Sequence, residues 1–173
     1  MSLKQLPAGP NPPEVVNAVI EIPQGSNIKY EVDEDSGVIF VDRILHTPMF
    51  YPANYGFVPS TAAQDGDPLD ILVVTSQPLQ PGTAILAQPI GLLVMEDEEG
   101  LDNKVVAVPP AKVDPLYAGV ESVAQLPEII NQRINHFFER YKDLEKGKWV
   151  KVKQWQERAA ALQEVEAAVS AFK

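Results

Sequence analysis

The sequence predicts a mainly β protein with helices at its C-terminus, an α+β fold in which short connections favour an antiparallel sheet that closes on itself. Up to about Pro127 the chain consists of short apolar or alternating segments separated by turns, and apolar residues adopt helical spacing only afterwards. The acidic stretch DGDPLDILV, from Asp65 to Val73, runs directly into an apolar strand. With 173 residues, the chain is long enough for a proper core, and we expect residues 1–173 to form one domain.

The composition narrows the class of protein. A hydrophobic content of 45% and a charged content of 22% are typical of a soluble globular protein, and we expect neither a membrane span nor a signal peptide. The absence of Cys excludes disulfides and is compatible with the cytoplasm, where we expect the protein. A formal charge of −10 argues against non-specific nucleic-acid binding, although a small polyanion still binds where cations and metals converge.

The N-terminal part predicts three strands in meander order, in segments 15–23, 28–34 and 37–45. Glu21 lies inside the first strand, where a charge is costly unless it meets a cation or a polar cavity. A solvated edge position explains Glu21 equally well. Lys29 and Glu31 alternate with apolar residues in the second strand, and Arg43 ends the third. Charges on the outer face of a sheet are ordinarily solvated, so these three residues are individually weak signals.

Residues 46–61 are interpreted as a loop dense in aromatic residues, which has to pack against the body of the protein or line a cleft. The hydroxyls of Tyr51 and Tyr55 are suited to an anion, although aromatic residues in a core are the commoner explanation.

The turn that follows holds three carboxylates, Asp65, Asp67 and Asp70, within six residues. Gly66 allows a sharp turn, and Pro68 fixes φ. Carboxylates this close repel one another unless protons or cations neutralise them. With no Cys and two His, the hard oxygen ligands favour Mg²⁺ or Mn²⁺ over zinc. Asp and Gly are also ordinary turn residues, so the spacing fits metal binding and an acidic surface turn equally well.

The rest of the chain repeats this arrangement and then becomes helical. Residues 84–95 predict a long strand interrupted at Pro89, and the acidic turn 96–100 and Asp102 lead to a strand at 105–108. Taken alone, such an acidic turn is more often solvated than functional. Residues 128–141 predict an amphipathic helix, and Lys142 follows it. Trp149 and Val150 lead to a second helix, whose expected apolar stripe is Leu162, Val165, Val169 and Phe172.

Taken together, these segments resemble the family I soluble inorganic pyrophosphatases of bacterial type. DGDPLDILV is similar to the signature of that family, an Asp-x-Asp-Pro-x-Asp turn before an apolar strand. Further matches follow in order and cover nearly the whole chain: IEIP at Ile20, IKYEVD at Ile28, VDR at Val41, MFYPANYGFVP at Met49 and HFFERYKDLEKGKWVKV at His136. The turn QGSN after IEIP is shorter than in relatives and carries no site residue.

The resemblance implies an OB-like β-barrel with C-terminal helices, and Mg²⁺-dependent hydrolysis of pyrophosphate to two phosphates by a metal-activated water. It implies several Mg²⁺ ions per site, with Mn²⁺ as a substitute, and a homo-oligomer, which we expect to be a hexamer. His136 matches a position that faces a neighbouring subunit in relatives, although a satisfied surface histidine explains it nearly as well. Asp67 matches the general base. The metal ligands implied are Glu21, Glu31, Asp65, Asp70, Asp97 and Asp102. The implied phosphate contacts are Lys29 and Tyr55 on the attacked phosphate, Arg43, Tyr141 and Lys142 on the leaving phosphate, and Lys104 and Tyr51 nearby.

Other classes explain less of the sequence. A non-enzymatic cation-binding module accounts for the aspartates but not for the basic and tyrosine residues. An EF-hand requires flanking helices and a glutamate at the end of its loop. An aspartyl-phosphate phosphohydrolase has a hydrophobic strand before its aspartates, whereas TAAQ precedes them here. An OB-fold nucleic-acid binder fits the architecture, but the acidic balance weighs against it.

Overall fold

The computed structural model describes residues 3, 6–33 and 36–172. These parts form a strand-rich body followed by helices, which confirms a mainly β protein with C-terminal helices. The strands are β1 (Val16–Ile22), β2 (Ile28–Val32), β3 (Ile39–Ile44), β4 (Asn54–Phe57), β5 (Asp70–Val73), β6 (Ala84–Asp97), β7 (Gly100–Leu101), β8 (Lys104–Val108) and β9 (Val150–Glu157). The α-helices are α1 (Glu128–Arg140) and α2 (Arg158–Ala171), and short 3₁₀ helices span Pro115–Tyr117 and Val123–Gln125.

The main sheet contains all the strands except β2 and β3. Strand β1 pairs with β6 along its first half and with β4 along its second half. The pairings then continue from β4 to β5, from β5 to β8 and from β8 to β6, while β7 and β9 attach to β6. Gly56 allows the backbones of β4 and β1 to lie very close together, because a Cβ at this position would lie 1.8 Å from the carbonyl oxygen of Val19.

The predicted meander of three strands is wrong. Strands β2 and β3 form a separate two-stranded sheet, and β1 pairs with neither of them. The reason is the different apolar character of the strands. Strand β1 is buried along almost its entire length and needs neighbours in the main sheet, whereas β2 and β3 carry charged and exposed side chains. Residue 34, at the predicted end of the second strand, lies outside the described residues.

The predicted antiparallel sheet is found with one exception, because β5 and β8 are parallel, with Ile71 opposite Val105. In sequence, the long strand β6 comes between β5 and β8 and carries the chain back, so β8 runs in the same direction as β5. In the sheet, β8 lies between β5 and β6. Strand β6 is continuous through Pro89, and its pairing with β8 shifts between Pro89 and Gly91 instead of ending there.

Two strands fall where the sequence predicted other structure. Strand β4 lies within the predicted loop 46–61, and β9 occupies the segment expected to lead into the second helix. Val150 and Val152 alternate with lysines in β9, a period of two residues that favours pairing with β6.

Helix α1 confirms the predicted amphipathic helix, and it buries Ile134, Phe137 and Phe138. The stripe predicted for α2 is confirmed in part. Val165 is buried and Val169 packs against the core, but the other buried residues are Ala161 and Ala168, and Phe172 lies beyond the helix and is 46% exposed. The small alanines let the helix lie close to the sheet. Neither α-helix of the described chain has the length and apolar character required to cross a membrane.

The core consists of two main clusters on opposite faces of the central strands. Leu72 of β5 packs in the cluster that contains the aromatic residues of α1, whereas Ile71 and Val73 pack in the cluster that contains α2. Successive side chains of a strand point to opposite faces, so β5 and β8 are apolar after their first residues, Asp70 and Lys104, because both faces are covered. The charged residues that flank these strands are therefore confined to the ends of the sheet.

Candidate active site

A cavity of about 650 Å³ opens at the end of the sheet where β5 and β8 begin and β6 ends. Thirteen of the fourteen predicted site residues line it, although they come from seven strands, two loops and the end of α1. They are Glu21, Lys29, Glu31, Arg43, Tyr55, Asp65, Asp67, Asp70, Asp97, Asp102, Lys104, Tyr141 and Lys142. Residues dispersed over more than 120 positions of the chain thus meet in one place.

The aspartate turn is fixed by its own backbone. Gly66 has a φ of 93°, which explains the glycine at this position. The amide of Asp67 donates to Asp65 Oδ1 at 3.0 Å, and the amide of Ala63 donates to the Asp67 carbonyl at 2.7 Å. The buried hydroxyl of Thr61 accepts from the amide of Leu69 at 2.9 Å. This closed loop leaves the side chains of Asp65 and Asp67 exposed at the cavity.

Lys104 lies at the centre of the site, with a side chain only 3% exposed. Its ammonium contacts Asp70, lies 2.5 Å from Asp102 Oδ1 and donates to the Tyr55 hydroxyl at 3.1 Å. Burial alone would lower the pKa of Lys104, but the charges of Asp70 and Asp102 more than offset this and raise it. Burial also raises the pKa of Asp70, and the positive charge of Lys104 opposes that shift.

A second ion cluster connects α1 with the end of β6. Lys142 Nζ lies 2.9 Å from Asp97 Oδ2 and 3.6 Å from Glu98. Glu98 also receives Lys148 at 2.8 Å and the amide of Trp149 at 3.3 Å. Burial opposes ionisation here, but the bonds from Lys148 and from the backbone lower the pKa of Glu98 to about 2.

The hairpin β2–β3 forms a third wall. Lys29 contacts Glu31, and Arg43 Nη1 donates to Asp42 Oδ2 at 2.8 Å. On the other edge of the Arg43 guanidinium group, Nε lies 3.1 Å from a carboxylate oxygen of Glu145. Glu21 is 9% exposed and lines the cavity, and its carboxylate accepts from the amide of Val32 at 2.8 Å, which joins β1 to the hairpin.

Tyr51 is the predicted site residue that the structure places behind the cavity wall, because it is 3% exposed and is not among the lining residues. Its ring centroid lies 5.6 Å from that of Tyr55 and 4.6 Å from that of Phe137. Burial raises the pKa of Tyr51 and that of Tyr55 well above the ordinary value, so both phenols stay protonated.

The sequence analysis did not identify several charged residues of the site, namely Asp42, Glu98, Glu145, Lys148 and Glu164. Glu98, Lys148 and Glu164 line the cavity, while Asp42 and Glu145 bind Arg43 from outside. Asp42 and Glu98 are adjacent in sequence to predicted residues, which is a usable signal. The positions of Glu145, Lys148 and Glu164 depend on tertiary packing.

The charge of the cavity fits a metal-dependent site. Of the described lining residues, eleven are acidic and five are basic, so an anion would be repelled unless cations neutralised some of the carboxylates. Within the described chain, no three His, Cys, Asp or Glu side chains are gathered closely enough to hold a metal by themselves. Mg²⁺ does not require such a cage, because it binds through one or two carboxylates and keeps its other ligands as waters or phosphate oxygens.

Comparisons with known proteins agree on one family. The family described as "Inorganic pyrophosphatase" matches residues 18–173. The inorganic pyrophosphatase of Aquifex pyrophilus is 56% identical over 173 residues, covering 100% of this chain and 98% of its own, and that of Gluconobacter oxydans is 54% identical with full coverage of both. The crystal structure of inorganic pyrophosphatase from Thermus thermophilus superposes with a TM-score of 0.96 at 50% identity, covering 99% of each chain.

The chain therefore belongs to the inorganic pyrophosphatase family, and the family I resemblance of its sequence is confirmed. It is an inorganic diphosphatase, a hydrolase of phosphoric anhydrides.

The Lys104 cluster generates a prediction about stability. Lys104→Met removes the ammonium between two carboxylates and should lower the stability by about 3 kcal/mol, which is about 6–12 °C in Tm for a chain of this size. Because Mg²⁺ can replace the lost positive charge, adding it should raise the Tm of this variant more than that of the wild type. Differential scanning calorimetry with and without Mg²⁺ measures both effects.

Lys153→Met is the matched control, because Lys153 pairs with Glu96 at 2.5 Å with both side chains about a third exposed. It should cost less than about 1 kcal/mol and leave the response to Mg²⁺ unchanged. Equal losses for the two variants would show that Lys104 is no more important than a surface ion pair.

Proposed function

We propose that this enzyme hydrolyses inorganic pyrophosphate to two orthophosphates with Mg²⁺ as its cofactor. The observation that carries the proposal is the convergence of five cationic side chains and eleven acidic residues on one cavity. Pyrophosphate concentrates several negative charges in a small volume, so it requires several cations at close range. The excess of carboxylates supplies ligands for additional metal ions on the same substrate.

The residues that would hold Mg²⁺ are carboxylates, whose hard oxygens also suit Mn²⁺ as a substitute. When bound, these ions neutralise phosphate charge and lower the pKa of water. The set proposed is Glu21, Glu31, Asp65, Asp70, Asp97 and Asp102.

The basic residues and tyrosines are proposed to bind phosphate oxygens. The planar guanidinium of Arg43 is suited to two oxygens at once, and Asp42 and Glu145 hold its orientation. Lys29, Lys142 and Lys104 act as point charges. The neutral hydroxyls of Tyr55 and Tyr141 are hydrogen-bond donors, and Tyr51 contributes by packing against Tyr55.

Asp67 is proposed as the general base. A water oxygen forms a bond to the attacked phosphorus, its proton passes to a carboxylate oxygen of Asp67, and the bond to the bridging oxygen breaks, leaving its electron pair on the departing phosphate. The exposed position of Asp67 at the cavity supports this assignment, because a base must reach a water molecule there.

Substrate and metal specificity provide the direct test. We expect release of phosphate from pyrophosphate only when Mg²⁺ is present, with little activity on ATP, because the number of cations in the cavity matches one compact diphosphate. Phosphate-release assays with pyrophosphate and ATP, each with and without Mg²⁺, measure this. Comparable turnover of ATP with Mg²⁺ would remove the substrate assignment.

The roles of two aspartates can be separated by amide substitution. Asp70→Asn removes a charge beside Lys104 and should weaken Mg²⁺ binding and activity at every pH, since charge is most of what holds a hard cation. Asp67→Asn should keep the tightest Mg²⁺ site, slow the chemical step by about 10²–10⁴-fold and move the optimum to higher pH, where hydroxide replaces the lost base.

Calorimetric titration with Mg²⁺ and the rate as a function of pH distinguish the two variants. If Asp67→Asn loses Mg²⁺ as severely as Asp70→Asn and keeps the wild-type pH profile, then Asp67 is a ligand and not the base.

We further infer that the sheet is an OB-like barrel within one domain of residues 1–173, and that the enzyme is a homo-oligomer, a hexamer by the family resemblance. The strand pairings lead from β1 through β4, β5, β8 and β6 back to β1, and this closed circuit supports a barrel.

Exposed apolar residues on and beside β3 support an oligomer, because Val38, Phe40, Val41 and Ile44 are each more than half exposed. Cytoplasmic location stays a prediction.

Sedimentation at neutral pH tests the oligomer. We expect a species several times larger than the 19.0 kDa chain, because burial of these apolar side chains stabilises association. Val41→Lys should shift the distribution towards smaller species. A wild-type sample that sediments only as a 19.0 kDa monomer would contradict the proposal.

A further inference from the structure

We propose that helix α2 sets the separation of the two acidic loops of the active site, and that Glu164 is the positioning residue through which it holds Asp102. This inference rests on the proposed function, since the loops concerned are those assigned to Mg²⁺. Helix α2 carries none of the predicted metal ligands, and the sequence analysis assigned it to packing alone.

The first contact runs from α2 to the loop between β7 and β8. Asn103 Nδ2 donates to Glu164 Oε1 at 3.3 Å, and Glu164 reaches the edge of the cavity. Asn103 lies between Asp102 and Lys104, which are themselves in contact. A displacement of Asn103 therefore moves the Asp102 carboxylate relative to the ammonium that it faces.

The second contact runs from the same helix to the aspartate turn. The amide of Ala62 donates to the carbonyl of Ala168 at 2.9 Å. Ala168 is one of the last four residues of α2, whose carbonyls have no partner within a helix, so the loop supplies the bond that the helix cannot. Ala62 precedes Asp65 by three residues in the turn that Thr61 and Ala63 close.

Both contacts come from one face of α2. Glu164 and Ala168 are four residues apart, a spacing that places them one turn apart on the same side of a helix. Ala161, Val165 and Ala168 are buried against the sheet, which holds the helix in place. The helix is thus a rigid spacer between the aspartate turn and the loop that carries Asp102.

The consequence concerns metal affinity. Mg²⁺ demands near-ideal octahedral geometry, so ligands from two loops must be held at a fixed separation. Residues that orient metal ligands without touching the metal typically contribute about 10–100-fold in affinity. Since Glu164 acts through Asn103, its effect requires a hydrogen-bond acceptor at this position and does not require its charge.

The experiment compares three variants of the full-length enzyme by calorimetric titration with Mg²⁺ alone. Glu164→Ala removes the acceptor and should weaken Mg²⁺ binding by about tenfold, the lower end of the range for such a residue. Glu164→Gln keeps an acceptor oxygen and should stay within about threefold of the wild type, because its amide carbonyl can still accept from Asn103. Glu166→Ala removes a carboxylate from an exposed position of the same helix and should bind Mg²⁺ as the wild type does.

A double-mutant cycle with Asn103→Ala identifies the route. If Glu164 acts through Asn103, the double variant should be no weaker than the worse single variant, because both substitutions remove the same contact. Wild-type Mg²⁺ affinity in Glu164→Ala, an equal loss in Glu164→Gln, or additive losses in the cycle would each overturn the proposal. An equal loss in Glu164→Gln would mean that the charge of Glu164 acts on the cations directly.

Pyrophosphate hydrolysis measured against Mg²⁺ concentration separates this inference from the function on which it rests. The Mg²⁺ concentration for half-maximal rate should rise in Glu164→Ala, with the rate at saturating Mg²⁺ largely retained. A wild-type enzyme inactive on pyrophosphate would refute the proposed function, whereas an active wild type with an unchanged Mg²⁺ requirement in Glu164→Ala refutes only the role of α2.

Discussion

The structure depends on one buried ammonium group. Lys104 is the first residue of β8, and Asp70 is the first residue of the parallel strand β5. These two side chains therefore lie next to each other at the same end of the sheet. An unpaired charge in this position would be severely destabilising, and Asp70 and Asp102 together neutralise it. The Tyr55 hydroxyl completes the cluster from β4. The parallel pairing is therefore both the most unusual feature of the sheet and the reason that the polar groups of the site converge.

The ion pairs between lysines and carboxylates bear on how a cavity with more acids than bases could bind an anion. In the structure, Lys29, Lys104 and Lys142 each contact a carboxylate of the same cavity. In the proposed function, cations bound to those carboxylates would compete with the lysines and would leave their ammonium groups available to phosphate oxygens. Metal ions and the polyanion then favour each other's binding, and because linkage is reciprocal, each raises the affinity for the other. This is the physical reason to expect that the enzyme binds substrate poorly without metal.

The sequence predicted which residues meet at the cavity better than it predicted the path of the chain. The turn from Asp65 to Asp70 and helix α1 carry local signals, namely glycine, proline and apolar spacing, and both are found as predicted. Strand β4 was missed because its four residues lie within an aromatic loop, and β9 was missed because a helix follows it directly. No local signal distinguishes a parallel from an antiparallel partner of β5, since that choice depends on the return path of β6. Glu145 and Glu164 were missed for the same reason, because only tertiary packing brings them to Arg43 and Asn103.

The tyrosines show how the apolar core determines the protonation state of the site. The rings of Phe137 and Tyr141 stack at 4.9 Å, and Tyr51 lies between Phe137 and Tyr55, so an aromatic layer connects α1 with the cavity. Burial raises the pKa of Tyr55 and that of Tyr141, which keeps both hydroxyls neutral, while the neighbouring carboxylates raise the pKa of Lys104 and keep it charged. In the proposed function, neutral phenols would donate hydrogen bonds to phosphate without adding negative charge to a site that already has an excess of it. The aromatic residues beneath the cavity thus have an electrostatic effect in addition to packing, because without burial these phenols would lie closer to ionisation in a cavity that is proposed to accept an anion.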